Sequence, residues 1–143
     1  MEKEIKLPHE ELTSEILASC FEVMRELGPG FLEDVYKNPL FMVMRQKGLQ
    51  VEAEKQFEVV FRQRTIGRYI ADLVVNLSVI VELKCCEHLA KEHQAQLFNY
   101  LKVARLPVGL LVNFKRRQLE WKRLQSNEDL CDIEEKAEKL VPF

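Results

Sequence analysis

The chain has 143 residues, which is about the size of one ordinary domain. Hydrophobic residues make up 47% and charged residues 31%, a globular balance that argues against disorder. The longest apolar run is far shorter than the roughly 20 residues of a membrane-spanning helix, and the charged start Met1–Glu4 does not resemble a signal peptide. We therefore expect a cytoplasmic protein without a membrane span. The four cysteines show no spacing typical of a disulfide framework or a zinc site.

Charge is distributed unevenly along the chain. Residues 55–123 contain thirteen basic and six acidic side chains, whereas residues 1–54 and 124–143 are both net acidic. Basic side chains pair with phosphates, so the middle of the chain could bind a polyanion such as nucleic acid. The alternative is that these side chains belong to solvated strand edges and loops.

Two helices are predicted at the start of the chain. The first begins at Thr13, a good N-cap residue, and ends at Gly28. The second covers residues 32–46 and is closed by Gly48. Pro39 lies inside it and removes a backbone donor, so we expect a kink or a late helix start.

After Gly48 the hydrophobic period changes from helical to alternating. Three strands are predicted, then a helix, then two further strands, at residues 51–61, 66–75, 79–84, 90–104, 108–114 and 119–124. The order α-α-β-β-β-α-β-β predicts an α/β fold with a mixed sheet flanked by helices. We expect one domain over residues 1–125, followed by an acidic amphipathic C-terminal helix or tail over residues 126–143.

A pair of acidic residues lies near the middle of the sheet. If residues 76–78 form the hairpin loop, Val75 faces Val79 and Asp72 lies directly opposite Glu82. Ile70, Asp72 and Val74 would then share one face, and Ile80, Glu82 and Lys84 the matching face of the next strand. A two-residue loop would change this parity and place Asp72 on the other face.

The residues predicted to flank these carboxylates on the same face are apolar, so this face should be half-buried. Opposed like charges destabilise a sheet, and burying them without a counter-charge is costly. A hard divalent cation such as magnesium would offset both effects, and Lys84 would add a positive charge. The alternative is an ordinary solvent-exposed cluster of Asp72, Glu82 and Lys84.

Several motifs resemble those of restriction-endonuclease-like proteins. Ala71-Asp72 followed by Val81-Glu-Leu-Lys84 is similar to the PD-(D/E)XK motif, with alanine in place of proline. Gln96-Leu-Phe-Asn-Tyr100 resembles the Q-x-x-x-Y motif of some of these nucleases. Gly30-Phe-Leu-Glu-Asp-Val-Tyr36 resembles the signature of the bacterial GxxExxY proteins. The similarity runs from about Leu12 to Leu124 and implies a restriction-endonuclease-like core.

The resemblance also implies roles for individual residues. Asp72 and Glu82 would bind Mg²⁺ (or Mn²⁺), with Glu33 completing the set of metal ligands. Lys84 would position the attacking water or stabilise charge on the phosphate, and the cation would lower the pKa of that water. For Glu33 alone, a place in the first turn of a helix would be explained equally well by the helix dipole.

Further residues are expected to contribute to catalysis or binding. Gln96 and Tyr100, four apart on one helix, would orient the site or contact the nucleic acid backbone. A phosphate track is expected on the rim of the same cleft: Arg62, Arg64, Arg68, Lys115, Arg116 and Arg117.

The sequence thus favours a magnesium-dependent nuclease acting on DNA or RNA. The alternative is a non-catalytic protein that kept the fold for nucleic-acid binding or assembly, because fold alone does not establish activity. A homodimer or a larger complex is a further expectation.

Overall fold

The computed structural model describes residues 9–126, and its elements follow the predicted order. They are α1 (Glu10–Leu27), α2 (Glu33–Gln46), β1 (Val51–Phe61), β2 (Arg64–Val75), β3 (Val79–Lys84), α3 (Lys91–Ala104), β4 (Val108–Asn113) and β5 (Glu120–Gln125). The predicted α/β fold with a mixed, helix-flanked sheet is confirmed. No helix among these residues is long and apolar enough to cross a membrane. The predicted acidic segment from residue 127 onward lies outside the described residues.

The start of α1 differs from the prediction. The helix begins at Glu10, so Thr13 lies in its first turn and is not the N-cap. The Thr13 hydroxyl donates a hydrogen bond to the Glu10 carbonyl at 3.0 Å, within the first turn of the helix. The acidic Glu10 and Glu11 interact favourably with the positive end of the helix dipole, which explains the earlier start.

Helix α2 runs from Glu33 to Gln46 as one element, with Pro39 inside it. The late start is not observed, so Glu33 keeps its place in the first turn, and the kink at Pro39 stays a prediction. Gly48 has a φ of +84°, the left-handed conformation that glycine adopts readily, and the chain turns there into β1.

The five strands form one sheet in the order β1-β2-β3-β4-β5. Only β3 and β4 are parallel, and α3 makes the crossover between them. One core lies between the sheet and the pair α1 and α2, where Tyr36 and Leu40 are fully buried. A second core lies between the other face and α3, where Leu97 and Leu101 are buried. All six residues of β4 are buried, as expected for a strand covered on both faces.

The alternation of side chains between the two faces of the sheet is interrupted in the middle of β2. Residues two positions apart in a regular strand point to the same face. Here, however, Ala71 packs on the α3 side and Leu73 packs on the α1–α2 side. The interruption coincides with Asp72 and with Glu54 of β1, whose φ is +53°. These two residues form a gap in the register between the strands, and a second irregularity lies between Val59 and Val60, near the hairpin turn. Asp72 therefore occupies an irregular position of its strand.

This interruption overturns one expectation about the face around Asp72. Ile70 and Val74 were expected to lie beside it on one half-buried face. Instead, Ile70 is 58% exposed and Val74 is buried in the core beneath α3. The alternation of residue types could not reveal the irregularity, because it assumes a uniformly pleated strand.

Candidate functional site

The candidate site lies where β2 and β3 separate. The predicted hairpin is confirmed: Val75 faces Val79, and the paired register ends at Leu73 and Val81. At the next pair of residues, Asp72 and Glu82, the two strands are joined by hydrogen bonds between side chain and backbone instead of backbone–backbone hydrogen bonds. The Asp72 N–H donates to Glu82 Oε1 at 3.4 Å, and the Leu83 N–H donates to Asp72 Oδ2 at 2.9 Å. Each carboxylate is thus fixed by the backbone of the opposite strand.

Glu82 is the more buried member of this pair. Its residue is 8% exposed, and the Tyr69 hydroxyl donates a hydrogen bond to its Oε1. Burial, the charge of Asp72 and a hydrogen bond between the two carboxyl groups raise the pKa of Glu82 to about 8, although the Tyr69 hydrogen bond acts in the opposite direction. Without a cation, the protonated form of Glu82 is therefore favoured at neutral pH.

Lys37 of α2 provides the counter-charge for Asp72, a role that the sequence did not reveal. Its Nζ lies 3.6 Å from Asp72 Oδ1, 3.3 Å from Glu54 Oε1 and 3.5 Å from Asp34 Oδ1. The Lys37 side chain is 12% exposed and that of Asp72 is 19% exposed. Burial acts to lower the pKa of Lys37, but the attraction of these carboxylates outweighs it and the pKa is raised.

Glu33 and Lys84 approach the pair from α2 and from the end of β3. Glu33 is half-buried, and burial raises its pKa; the charge of Lys84 partly opposes this rise, and the charge of Asp72 adds to it. Lys84 is also half-buried. The structure therefore places the predicted residues of the motif close enough together for their charges to interact.

Tyr36 fixes the position of α2 and hence of Glu33. Its ring is fully buried and stacks on Phe114 at 4.7 Å between centroids. Its hydroxyl donates to the Gly28 carbonyl at 2.7 Å and accepts from the Phe31 N–H at 3.3 Å. The tyrosine at the end of the Gly30–Tyr36 motif thus ties the loop before α2 to the helix.

The two predicted residues of α3 have different surroundings. The Tyr100 ring stacks on Tyr69 with 3.4 Å between centroids, and both burial and the charge of Glu82 raise the pKa of Tyr100. The Gln96 side chain is exposed and makes no hydrogen bond to any group of residues 9–126. Tyr100 is therefore part of the wall of the site, while Gln96 faces solvent.

Asn113 braces the loop that follows Lys84. Its amide nitrogen donates to the Cys86 carbonyl at 2.8 Å, and its oxygen accepts from the Cys86 N–H at 3.1 Å. Asn113 is 3% exposed at the end of an apolar strand, and a polar residue in such a run could have indicated this role. Tyr69, by contrast, gave no signal beyond its place in a strand.

The six basic residues fall into two groups at different places in the fold. Lys115, Arg116 and Arg117 follow β4, at the sheet edge where β3 also ends, and Arg116 forms an ion pair with Glu87 at 2.7 Å. Arg62 and Arg64 lie at the β1–β2 turn; at about 3.3 Å per residue, Arg64 is about 25 Å along the strand from Asp72. Arg68, also exposed, lies between the turn and Asp72. A single track on one rim stays a prediction.

The donor chemistry of the site suits a hard divalent cation, but the ligands are not preassembled. Asp72 and Glu82 offer apposed carboxylate oxygens, the ligand type that magnesium prefers. Within residues 9–126, however, no three His, Cys, Asp or Glu side chains lie close enough together to hold one ion. The expected third ligand, Glu33, stands near the pair without joining it in such a cluster.

Comparisons with known proteins agree with this arrangement. A family model described as the PD-(D/E)XK nuclease superfamily matches residues 10–124. Among curated proteins, no significant match is found. The solved crystal structure of SSO0001 is similar in fold, with a TM-score of 0.54 and 20% sequence identity; the alignment covers 92% of this chain and 66% of that one. Asp72 and Glu82 face each other from neighbouring strands, and Lys84 follows Glu82 by two residues, as in the motif. With the family match, these positions show that the chain belongs to the PD-(D/E)XK nuclease superfamily.

Proposed function

We propose that this protein is a nuclease that hydrolyses phosphodiester bonds of DNA or RNA with Mg²⁺ or Mn²⁺. The observation that supports this most is the pair of carboxylates at the point where β2 and β3 separate, fixed by backbone N–H groups of the opposite strands. Membership of the superfamily supports a nuclease-type activity. Three further expectations stay predictions: the finer resemblance to the GxxExxY proteins, the cytoplasmic location, and assembly as a homodimer or larger complex.

The proposal gives each residue of the site a task. Asp72 and Glu82 would hold the cation, and Glu33 would complete its coordination from the start of α2. Lys84 would place its charge beside the phosphate or the attacking water. The bound cation would supply charge stabilisation at the phosphate and a lower pKa for that water. Tyr69 and Tyr100 would exclude solvent from the inner side of Glu82.

Binding of the substrate would depend on the basic residues outside the site. Lys115, Arg116 and Arg117 lie at the same sheet edge as Lys84, so we assign the first contacts with the phosphate backbone to them. Arg62, Arg64 and Arg68 of the hairpin would contact a longer substrate farther from the cleavage point. Gln96, exposed on α3, would contact the nucleic acid backbone.

Cleavage of labelled nucleic acids tests this proposal. Single-stranded and double-stranded DNA and RNA are incubated with the protein in Mg²⁺, in Mn²⁺ and in chelator. We expect cleavage of at least one substrate only with a cation, and its loss in Asp72→Asn and Lys84→Ala. Glu15→Gln, which alters an exposed carboxylate of α1, is the matched control and should cleave like the wild type.

A non-catalytic role is the second candidate, and two observations favour it. Asp72 is already paired with Lys37, and no three-ligand cluster is formed within residues 9–126. If the wild type binds the labelled nucleic acids without cleaving any of them in either cation, the nuclease proposal is wrong and a binding or assembly function remains.

A further inference from the structure

Lys37 is the side chain at the site that the proposed chemistry leaves without a task. It is a lysine of α2, it is nearly buried, and its Nζ is within 4 Å of three carboxylates. Only one of the three, Asp72, is an expected metal ligand. Asp34 and Glu54 are 92% and 68% exposed and lie on the solvent side of the lysine.

Both oxygens of the Asp72 carboxylate are engaged in this structure. Oδ2 accepts from the Leu83 N–H, and Oδ1 faces Lys37 Nζ at 3.6 Å. A magnesium ion bound to Oδ1 at about 2.1 Å could lie no more than about 5.7 Å from Nζ in its present position. Two cations at that separation repel strongly in a poorly solvated site. Lys37 and a divalent cation therefore compete for Asp72.

Glu54 and Asp34 offer Lys37 an alternative. Because Nζ already lies 3.3 Å from Glu54 Oε1, a small movement away from Asp72 leaves the ammonium group paired. Glu54 is held at this place by the irregularity of β1 opposite Asp72. The lysine can thus leave the site without becoming an unpaired charge.

We propose that Lys37 is a tethered cation that neutralises Asp72 in the metal-free protein and moves to Glu54 and Asp34 when a divalent cation binds. Lys37 is a positioning residue, which stabilises the metal-free site and lowers the affinity of the site for the cation. The inference rests on the proposed function, because it takes Asp72 as a metal ligand.

Manganese binding to the full chain tests this role, with free Mn²⁺ measured by electron paramagnetic resonance. In Lys37→Met, which keeps most of the length of the side chain and removes its charge, the Kd for Mn²⁺ should fall about threefold or more. The metal-free melting temperature should fall, because three carboxylates lose their counter-charge, and added Mn²⁺ should raise it further than in the wild type. Lys37→Gln serves as a second variant if Lys37→Met does not fold.

Two controls separate competition from a general change in charge. Lys47→Met removes a lysine at the end of the same helix that pairs with Glu22, and its Kd for Mn²⁺ should match that of the wild type. Glu54→Gln should weaken Mn²⁺ binding, because Lys37 then remains on Asp72. In the double variant Lys37→Met/Glu54→Gln, the effect of Glu54→Gln should vanish, whereas a direct attraction between Glu54 and the cation would persist.

The outcomes distinguish this inference from the proposed function. If the wild type binds Mn²⁺ and the folded Lys37 variants bind it equally or more weakly, the role of Lys37 is wrong and the metal site stands. If neither the wild type nor the Lys37 variants bind Mn²⁺, the metal site itself is wrong, and the role of Lys37 falls with it.

Discussion

At the scale of single residues, the position that the fold gives Glu82 raises the pKa of its carboxyl group. The side chain is buried between β2 and β3 with the charge of Asp72 beside it, and both raise the pKa. The hydrogen bonds that Glu82 Oε1 accepts from the Tyr69 hydroxyl and the Asp72 N–H act in the opposite direction without cancelling the rise. Burial disfavours the charged form of a carboxyl group and is the largest cause of its raised pKa. The protonation state of this group should therefore link stability, pH and metal binding.

The first prediction concerns the pH dependence of stability without metal. The folded-state pKa of Glu82, about 8, lies above its ordinary value of 4.5, so the folded protein binds an extra proton between these values. Stability should then fall as pH rises through this window, by up to about 1.4 kcal/mol per pH unit. Glu82→Gln, which keeps the shape of the protonated side chain, should lose this slope, so its stability relative to the wild type should rise between about pH 4.5 and pH 8 and stay constant above.

Chemical denaturation between pH 5 and pH 9 in chelator measures this difference. Glu15→Gln, at an exposed position of α1, is the control and should follow the wild type. Parallel curves for the wild type and Glu82→Gln would show that Glu82 is already charged at neutral pH.

The second prediction concerns protons released by the cation. Because a ligand carboxylate must be deprotonated, Mg²⁺ or Mn²⁺ binding at pH 7 should release about one proton from Glu82. At pH 9, above the pKa of Glu82, the release should be nearly absent. Calorimetric titration in two buffers of different ionisation enthalpy measures it, and a binding heat that is independent of buffer at pH 7 would contradict it.

At the scale of elements, the site depends on how closely α3 approaches β4. Gly109 of β4 faces Leu97 of α3, and a Cβ atom built at Gly109 would lie 2.8 Å from Leu97 Cδ2 and 2.9 Å from Leu97 Cγ. Leu97 is buried, so its side chain has little room to move away. The same helix presents Tyr100 to Tyr69, and the helix–strand distance therefore also sets the wall around Glu82.

The third prediction follows from this contact. Gly109→Ala should lower the free energy of unfolding by about 1–3 kcal/mol, the usual cost of overpacking a core. Gly67→Ala is the control, because a Cβ atom there meets only Val59 Cβ at 4.0 Å. Urea denaturation of both variants measures the difference, and equal stabilities would show that α3 moves away without cost.

At the scale of the whole molecule, the basic side chains are divided between a distant hairpin and the edge of the site. Arg62 and Arg64 lie at the β1–β2 turn, and Lys115 and Arg117 lie after β4. A nucleic acid bound at the site must be longer to reach the hairpin turn than to reach Lys115 and Arg117, because the turn is about 25 Å along β2 from Asp72. Substrate length should therefore separate their contributions.

The fourth prediction concerns salt. If phosphates bind these side chains, affinity should fall as salt is added, and each contact removed should reduce the slope by about 0.7–0.9. Lys115→Ala/Arg117→Ala should reduce it for short and long strands, whereas Arg62→Ala/Arg64→Ala should reduce it only for long ones. Fluorescence anisotropy in chelator, which prevents cleavage, measures both. Slopes unchanged in all variants would contradict binding at either place.

The sequence by itself determined the order of elements and the pairing of the motif. A three-residue loop and the period of two place Val75 opposite Val79 and hence Asp72 next to Glu82, because hairpin register depends only on local geometry. These inferences needed only neighbours along the chain or across one turn.

The tertiary structure decided what surrounds the pair. Lys37 reaches Asp72 only because α2 packs beside β2, and no local pattern records which helix covers which strand. The interruption of the alternation at Glu54 and Asp72 was hidden, because alternation assumes a regular pleat. The raised pKa of Glu82 depends on burial beneath Tyr69 and Tyr100, and desolvation is a property of the packed molecule rather than of the sequence around one residue.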